Sequence, residues 1–495
     1  MTQHVTAIPV VDVFAGPGGL NEGFSSLLDA HGNSIFETVN SFEMESAAVN
    51  TLRLRAALRT IRRNTGSTPN AAYRFLRGEL SYGDMAADPD VSAALKDAES
   101  EVRQLELGQE TRLESDAIIR GSLQSTDDPW ILVGGPPCQA YSLAGRSRRT
   151  NDPTFVHDEK HFLYREYLHI LQQHRPTVFV MENVKGMLSS RHDGGSIFRK
   201  ILDDLRSPAF GLEYDVRSFV LPGSDLQPQD FILRAERFGV PQRRHRVILL
   251  GVRTDSGLGR HELLQQGELV TVENAIGDMP RIRSMISPRS KDSEEAFVEI
   301  RSAARRLAER AGSQRCAPVG RGFIAAHGNA PASDPLKMWL TDPTLGGHIQ
   351  HESRAHMPAD LMRYAYLSAK AQQGEFPRVN ELPPALIPNH RNAARVDAPF
   401  ADRFRVQRWD MPSTTVVSHI SKDGHYYVHP DPEQMRSLSV REAARLQTFP
   451  DDYFFTGNRT QQYHQVGNAV PPLLARQLGA TVAKLLGREI GVGQL

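Results

Sequence analysis

The 495-residue chain predicts an α/β fold: a doubly wound, mostly parallel sheet, followed by a second, smaller and irregular domain. Three observations carry that prediction. Short apolar runs each end in a loop-forming cluster, stretches of helical periodicity separate them, and this rhythm stops near residue 263. A composition 40% hydrophobic and 23% charged is that of a globular chain with a sizeable core and room for two or three domains. The formal net charge of zero gives no global attraction to nucleic acid, so any such surface has to be a local basic patch. The only cysteines, Cys138 and Cys316, cannot build a disulfide framework or a Cys-rich zinc site. Cys316 is read as incidental, and no metal is expected. Without an 18-residue apolar run or a signal pattern at the start, the chain is expected in the cytoplasm with no membrane partner.

Val10 to Phe14 reads as the first buried strand, and Ala15 to Gly19 (Ala-Gly-Pro-Gly-Gly) as a tight turn into a helix near Leu20 with Leu20, Phe24, Leu27 and Leu28 on its apolar face. Glycines let a backbone approach a ligand closely, and free N–H groups at the helix start favour a carboxylate or phosphate. Taken alone, such a segment is equally a plain tight turn. Glu43 closes the next apolar stretch, Phe36 to Phe42. Doubly wound folds place there an acid that accepts ribose hydroxyls, and the plainer alternative is a solvated strand end. After Asn50 the pattern becomes helical and basic, with Arg55, Arg59 and Arg63 on one face beside Arg53 and Arg62. That face suits DNA phosphates, although a charge run on a helix is more often simply solvated. Residues 64–128 are polar and lean helical.

Trp130 to Val133 is a compact apolar strand stopped by Gly-Gly-Pro-Pro, and the stiff loop beyond it presents Cys138. A thiol held at the carboxyl edge of such a sheet suits a nucleophile, whereas a cysteine in an ordinary strand is usually a small hydrophobe. Ser142 to Arg149 is a basic loop without periodicity, and its Arg146, Arg148 and Arg149 are placed to meet phosphates. An amphipathic helix follows over Lys160 to Gln173, then a buried strand over Pro176 to Met181. Glu182 ends that strand, where a carboxylate is costly unless paired or functional. Gly211 to Leu221 and Phe231 to Leu250 read as strands and turns, with Val247 to Gly251 the last buried strand. Just before it, Arg244 and Arg246 alternate with His245 and so point the same way at strand spacing, toward the site marked by Cys138 and Glu182. Surface arginines at a strand entrance are the bland alternative. From 281 to 440 the chain is irregular, with a basic helical patch at Arg301 to Arg310. An amphipathic helix over Leu473 to Leu486 closes it.

Six blocks resemble, in order, those of the DNA (cytosine-5) methyltransferases. They are Val11 to Leu20, the Pro-Cys-Gln loop at Pro137 to Gln139, Met181 to Val184 (Met-Glu-Asn-Val), Gln242 to Arg246 (Gln-Arg-Arg-His-Arg), Arg441 to Pro450, and Gln465 to Pro472. One alone would be weak, but six in order are specific. Roughly 50–128 and 263–400 stay uncovered. The first looks like an insertion relative to short family members, and Phe404 to His419 resembles the end of a target recognition domain.

The resemblance implies a Rossmann-like catalytic domain over 1–262 with a helical insertion at about 50–128, a target recognition domain over 263–455, and a segment over 456–495 that packs back on the first domain. It implies S-adenosyl-methionine as cofactor, bordered by Phe14, Gly16, Gly18, Gly19, Leu20, Glu43, Met44, Pro136, Asn468 and Val470, with Glu43 on the ribose. The turn that contacts adenine falls at either Gly78 to Leu80 or Gly83 to Met85. Cys138 would add to cytosine C6, Glu182 would bond N3, Arg246 would bond O2, and Arg244 would buttress the site. Gln139, Ser142, Arg146, Arg148, Arg149 and Gln242 would meet double-stranded DNA. A role in marking host DNA, with restriction or defence proteins as possible partners, is the softer implication. An RNA methyltransferase on the same scaffold and a catalytically silent DNA-binding module are the rivals. The long 263–435 segment favours duplex reading over the first, and the coexistence of Cys138, Glu182 and the arginines disfavours the second.

Overall fold

The computed structural model describes residues 6–123, 129–137, 163–189, 191–192, 195–308, 316–326, 334–389 and 403–491. Among them, eight strands form one mixed sheet. β1 (Ile8–Val13), β2 (Phe36–Glu43), β3 (Val102–Gln104), β4 (Ile131–Gly134) and β5 (Val178–Val184) run parallel in the order β3-β2-β1-β4-β5. The strand His245–Arg253 lies antiparallel to β5 and carries Tyr214–Arg217 and Ile232–Arg234 on its other side. Strand order reverses between β1 and β4, which opens a crevice at their carboxyl ends.

The central strands are apolar throughout because both faces are covered. Val10, Val133 and Val180 join Phe24, Leu27 and Leu478 in the core on one face, while Val11, Leu132 and Phe179 join Tyr167, Ile201 and Leu249 on the other. The first helix, α1 (Gly19–Ser25), is shorter than the apolar spacing suggests, and Leu27 reaches the core from the turn beyond it. The helix expected over Lys160 to Gln173 occupies Tyr164–His174, with residues 160–162 outside the described set.

Two expectations for the 50–128 stretch need correction. It is mainly helical, with α2 (Ser46–Thr65), α3 (Asn70–Leu76) and further helices at Tyr82–Ala86, Pro89–Glu101 and Arg112–Ser122. Yet it also supplies β3, hydrogen-bonded to β2, so part of it is integral to the sheet. A three-residue strand, Val-Arg-Gln, is too short to show alternation in the sequence. The basic face of α2 is largely taken up by contacts within the protein, with Arg63 alone of the face remaining exposed. Arg55 donates to Glu22 (Nε to Oε2, 2.9 Å) and Asp452 (Nη1 to Oδ2, 2.8 Å). Arg59 pairs with Glu101 and donates to Asn21 (2.9 Å), Arg62 pairs with Asp452, and Arg63 donates to the Phe36 carbonyl at 3.1 Å.

A second core gathers Val272, Ile276, Leu336, Leu340, Val416, Leu438, Phe449, Tyr453, Tyr463 and Val466. Beside it lies a two-stranded ribbon, Gly320–Ala325 against Gly347–Glu352. Buried arginines staple this domain: Arg441 donates to the carbonyls of Pro450 (2.8 Å) and Tyr453 (2.6 Å), Arg445 makes a forked bond to Asp451 (2.8 and 2.6 Å), and Arg436 to Glu442 (both 2.6 Å). The Arg-Glu-Ala-Ala-Arg block is therefore internal architecture. The segment expected over 456–495 contributes to both cores. Helix Arg459–Asn468 belongs to the second core through Tyr463 and Val466, while Val470, helix Pro472–Leu485 and, beyond it, Leu486 and Ile490 pack on the first.

Candidate active site

The glycine turn leaves β1 at the crevice. Phe14, Gly16 and Gly18 take left-handed backbone angles (φ 56°, 55° and 89°), which two glycines tolerate and phenylalanine does not favour. The ladder continues past the strand through Ala15 N–H to the Phe42 carbonyl (3.1 Å), and Glu43 accepts the Gly16 N–H through Oε2 and the Glu45 N–H through Oε1, both at 2.8 Å. Burial pushes the Glu43 carboxyl up, against the lowering pull of those N–H groups. Beyond Gly16 the space is open, with no atom within 4 Å of where a Cβ would sit. Gly19, in contrast, lies so close to the Val470 carbonyl that a Cβ would fall 2.0 Å from it. Leu20 is buried in the core, so only its backbone faces the turn. Met44 is half exposed at the end of β2, and Asn468 is exposed at its helix end.

β4 runs into Gly135, Pro136 and Pro137, the last described residues before Cys138. Cys138, Gln139, Ser142, Arg146, Arg148 and Arg149 lie outside the described residues. The Pro136 carbonyl accepts from Asn183 Nδ2 at 3.1 Å, which ties this loop to the end of β5. Glu182 shares that end, and its Oε2 lies 2.9 Å from where a Cβ on Gly135 would sit. Arg246 stands opposite Val184 across the antiparallel pairing, on the same face as Glu182. Its Nε is 2.8 Å from Glu182 Oε1, a charge contact lacking the angle of a hydrogen bond, while Nη1 donates to the His245 carbonyl at 3.0 Å.

Arg244 turns away from that carboxylate. Buried, it donates through Nη1 to the carbonyls of Val416 (2.9 Å) and Gly467 (3.3 Å), across the seam between domains. Burial and then Arg246 weigh against its charge, with Glu182 opposing them. Gln242, expected at DNA, is fully buried in the same seam: Nε2 donates to the Leu446 carbonyl (3.1 Å) and Gln447 Oε1 (3.0 Å), and Oε1 accepts from Val416 N–H (2.8 Å). With both ends of its amide engaged it is a joint between domains, not a DNA contact.

Neither proposed adenine turn sits at the sheet edge. Gly78 follows α3, whose neighbour Arg77 donates to the Leu345 carbonyl (3.0 Å), and Gly83 lies inside a short helix. The edge beside Glu43 and Met44 is taken by Gln104 and Leu105, with Leu105 N–H donating to the Glu43 carbonyl (3.0 Å) and Gln104 Nε2 to that of Met44 (3.3 Å). Sequence reasoning also passed over Asp12, two residues before the turn. It is wholly buried with neither carboxylate oxygen hydrogen-bonded, and burial, then Glu43, push its carboxyl well up. An acid inside the apolar run of β1 was the available signal. Among the described residues no cluster of His, Cys, Asp or Glu could hold a metal, and no helix is long and apolar enough to cross a membrane.

Neighbouring strands are about 4.8 Å apart, so the ends of β1, β4 and β5 span about 10 Å. A glycine turn, the approach to a thiol and a carboxylate–guanidinium pair thus share one crevice. Comparison with known proteins identifies the family. A family model described as C-5 cytosine-specific DNA methylase matches residues 111–484. The chain is 31% identical over 502 residues to the type II methyltransferase M.Bpa9945I of Bacillus paralicheniformis, covering 96% of this chain and 99% of that one. It is 30% identical over 388 residues to the type II methyltransferase M.AgeI of Thalassovita gelatinovora, covering 71% and 82%. A crystal structure from E. coli, described as a DNA modification methyltransferase encoded within a prophage, shares the fold with a TM-score of 0.56 at 18% identity, over 97% of this chain and 100% of that one. The chain therefore belongs to the C-5 cytosine-specific DNA methylase family and is a DNA cytosine-5 methyltransferase.

Proposed function

We propose that the chain methylates cytosine within one short DNA sequence, that the base is flipped out of the duplex into the crevice, and that the mark belongs to a restriction or phage-defence system. The observation that carries this reading is the Glu182–Arg246 pair, with the Glu182 carboxylate lying against Gly135 on the segment that runs from β4 toward Cys138. The family's methyl donor is S-adenosyl-methionine, and the residues present fit it: an open face at Gly16, and a Glu43 carboxylate with lone pairs left after its two N–H bonds. Glu43 would hold the ribose hydroxyls, Leu105 and Met44 would flank the adenine, and Phe14, Gly18, Gly19, Pro136, Asn468 and Val470 would border the remainder. When bound, the cofactor supplies an electrophilic methyl group.

Cytosine C5 is a weak nucleophile. The Cys138 thiolate would add to C6, forming a sulfur–carbon bond and pushing the electron pair of the C5–C6 double bond onto C5. Glu182 would bond N3 and Arg246 O2, offsetting the charge that develops on the ring as the adduct forms. Arg244, fixed in the domain seam, would keep a positive field behind them. Once C5 is methylated, loss of its proton and departure of sulfur restore the double bond and the free thiol. C6 is stacked inside a duplex, so flipping costs a few kcal/mol. Arg146, Arg148 and Arg149 would offset part of this through phosphate contacts.

The test is a trap. A duplex carrying 5-fluorocytosine in the recognition sequence cannot lose its C5 substituent, so the enzyme should remain attached as a complex stable to denaturing electrophoresis, dependent on S-adenosyl-methionine and absent in Cys138→Ala. A complex that formed equally in Cys138→Ala would overturn the role of the thiol.

A further inference from the structure

We propose that Tyr453, contributed by the second domain, is a positioning residue for the cofactor turn; this rests on the reading of Phe14 to Gly18 as the S-adenosyl-methionine site. Its hydroxyl donates to the Pro17 carbonyl, a contact between residues 436 positions apart in the chain. The same oxygen would lie 3.1 Å from a Cβ on Gly18, and Leu52 Cδ2 2.6 Å from it, so the second domain and α2 together close the back of the turn.

The turn needs such bracing. Three of its five residues are left-handed, one of them phenylalanine, and backbone of this kind persists only where the surroundings over-determine it. From the front it is held by Glu43 on the Gly16 N–H, the bond that would face the ribose. From the back, Pro17 is fixed by Tyr453. The tyrosine is itself immobilised: its ring packs on Phe449 (4.8 Å between centroids) and Phe455 (5.4 Å), the Arg55 guanidinium covers it at 4.9 Å, and Arg441 holds its carbonyl at 2.6 Å. Arg55 in turn joins Glu22 on α1 to Asp452, the residue before Tyr453. The turn and the helix after it are thus clamped to one short segment, Asp452 and Tyr453, of the other domain. Removing the hydroxyl leaves these ring contacts in place and frees the Pro17 carbonyl. The open site then has to be ordered by the cofactor itself, at a cost in affinity.

The experiment is calorimetric titration of the full chain with S-adenosyl-homocysteine, comparing the unaltered protein, Tyr453→Phe and Tyr463→Phe. Tyr463 is the control, an equally buried phenol in the same core whose hydroxyl donates to the Leu438 carbonyl at 2.6 Å. Tyr453→Phe should weaken binding on the order of 3- to 10-fold, the effect of one buried hydrogen bond. KM for S-adenosyl-methionine should rise in proportion, with kcat at saturating cofactor and affinity for duplex DNA alone unchanged. Tyr463→Phe should lower the melting temperature at least as much and leave cofactor affinity unaltered. Equal affinity in Tyr453→Phe and the unaltered chain, or equal weakening in both variants, would overturn the inference. No binding by the unaltered, folded chain would overturn the cofactor reading itself, and the inference with it.

Discussion

Replacing Arg55 by methionine separates two uses of the basic helix α2. The side chain is 11% exposed and bridges Glu22 and Asp452, whose side chains are 8% and 5% exposed. Burial works against its charge, but Asp452 and then Glu22 outweigh that and hold the guanidinium above its ordinary range. Methionine keeps most of the volume and leaves Glu22 without this partner, while Asp452 keeps Arg62. Breaking one side of a buried pair costs about 3–5 kcal/mol. At roughly 2 °C per kcal/mol for a domain of about 250 residues, the melting temperature should fall by about 6–10 °C. The assay is scanning calorimetry at pH 7, paired with duplex affinity measured from low to moderate salt. Each lost phosphate contact would reduce the slope of log K against log salt by about 0.9, and the clamp predicts no such change. A melting temperature within a degree or two of the unaltered chain, together with a slope lower by about one, would refute the clamp and restore the phosphate reading.

Other consequences are as direct. Gln242→Ala strips three hydrogen bonds from the domain seam and should destabilise the chain by about 2–4 kcal/mol, with the salt dependence of DNA binding unaltered; a normal melting temperature with weaker DNA affinity would return Gln242 to the DNA surface. Burial pushes His351 down to about 4, between Ser439 (2.9 Å) and the Pro280 carbonyl (2.8 Å). A depressed folded pKa gives stability that is complete above about 6.5 and drains away as pH falls toward 4. His351 alone should account for about 2 kcal/mol lost between pH 7 and 5; thermal melts of His351→Gln over that range should be flatter than those of the unaltered chain, and parallel curves would exclude this source. Glu182→Gln should slow methyl transfer by roughly 10²–10⁴-fold with cofactor binding intact, read in single-turnover assays, and near-normal turnover would remove Glu182 from the chemistry.

How far the sequence disclosed this molecule depended on how local each signal was. β1, β4, β5 and the strand His245–Arg253 were legible because each is an apolar run ending in Gly, Pro or a charged residue. Glu182 was legible as an acid at such an end, whereas the alternation about His245 placed Arg244 and Arg246 together, and Arg244 instead turns to the carbonyls of Val416 and Gly467. What escaped was set by distant partners. The arginines of α2 read as a free basic face because Asp452 lies about 400 residues on. Gln242 read as a DNA contact because its partners, Val416 and Leu446, come from the second domain. β3 was hidden by its length, and with it the edge position of Leu105. Helix Arg459–Asn468 is weakly amphipathic, so its sequence does not show that Tyr463 and Val466 join the second core.

The most direct test of the central claim is bisulfite sequencing of the genome of a methylation-free host expressing this chain. Near-complete protection of one cytosine within a single short motif is expected, and none with Cys138→Ser. A genome without protection above background, while the purified chain is folded and binds S-adenosyl-homocysteine, would contradict that claim.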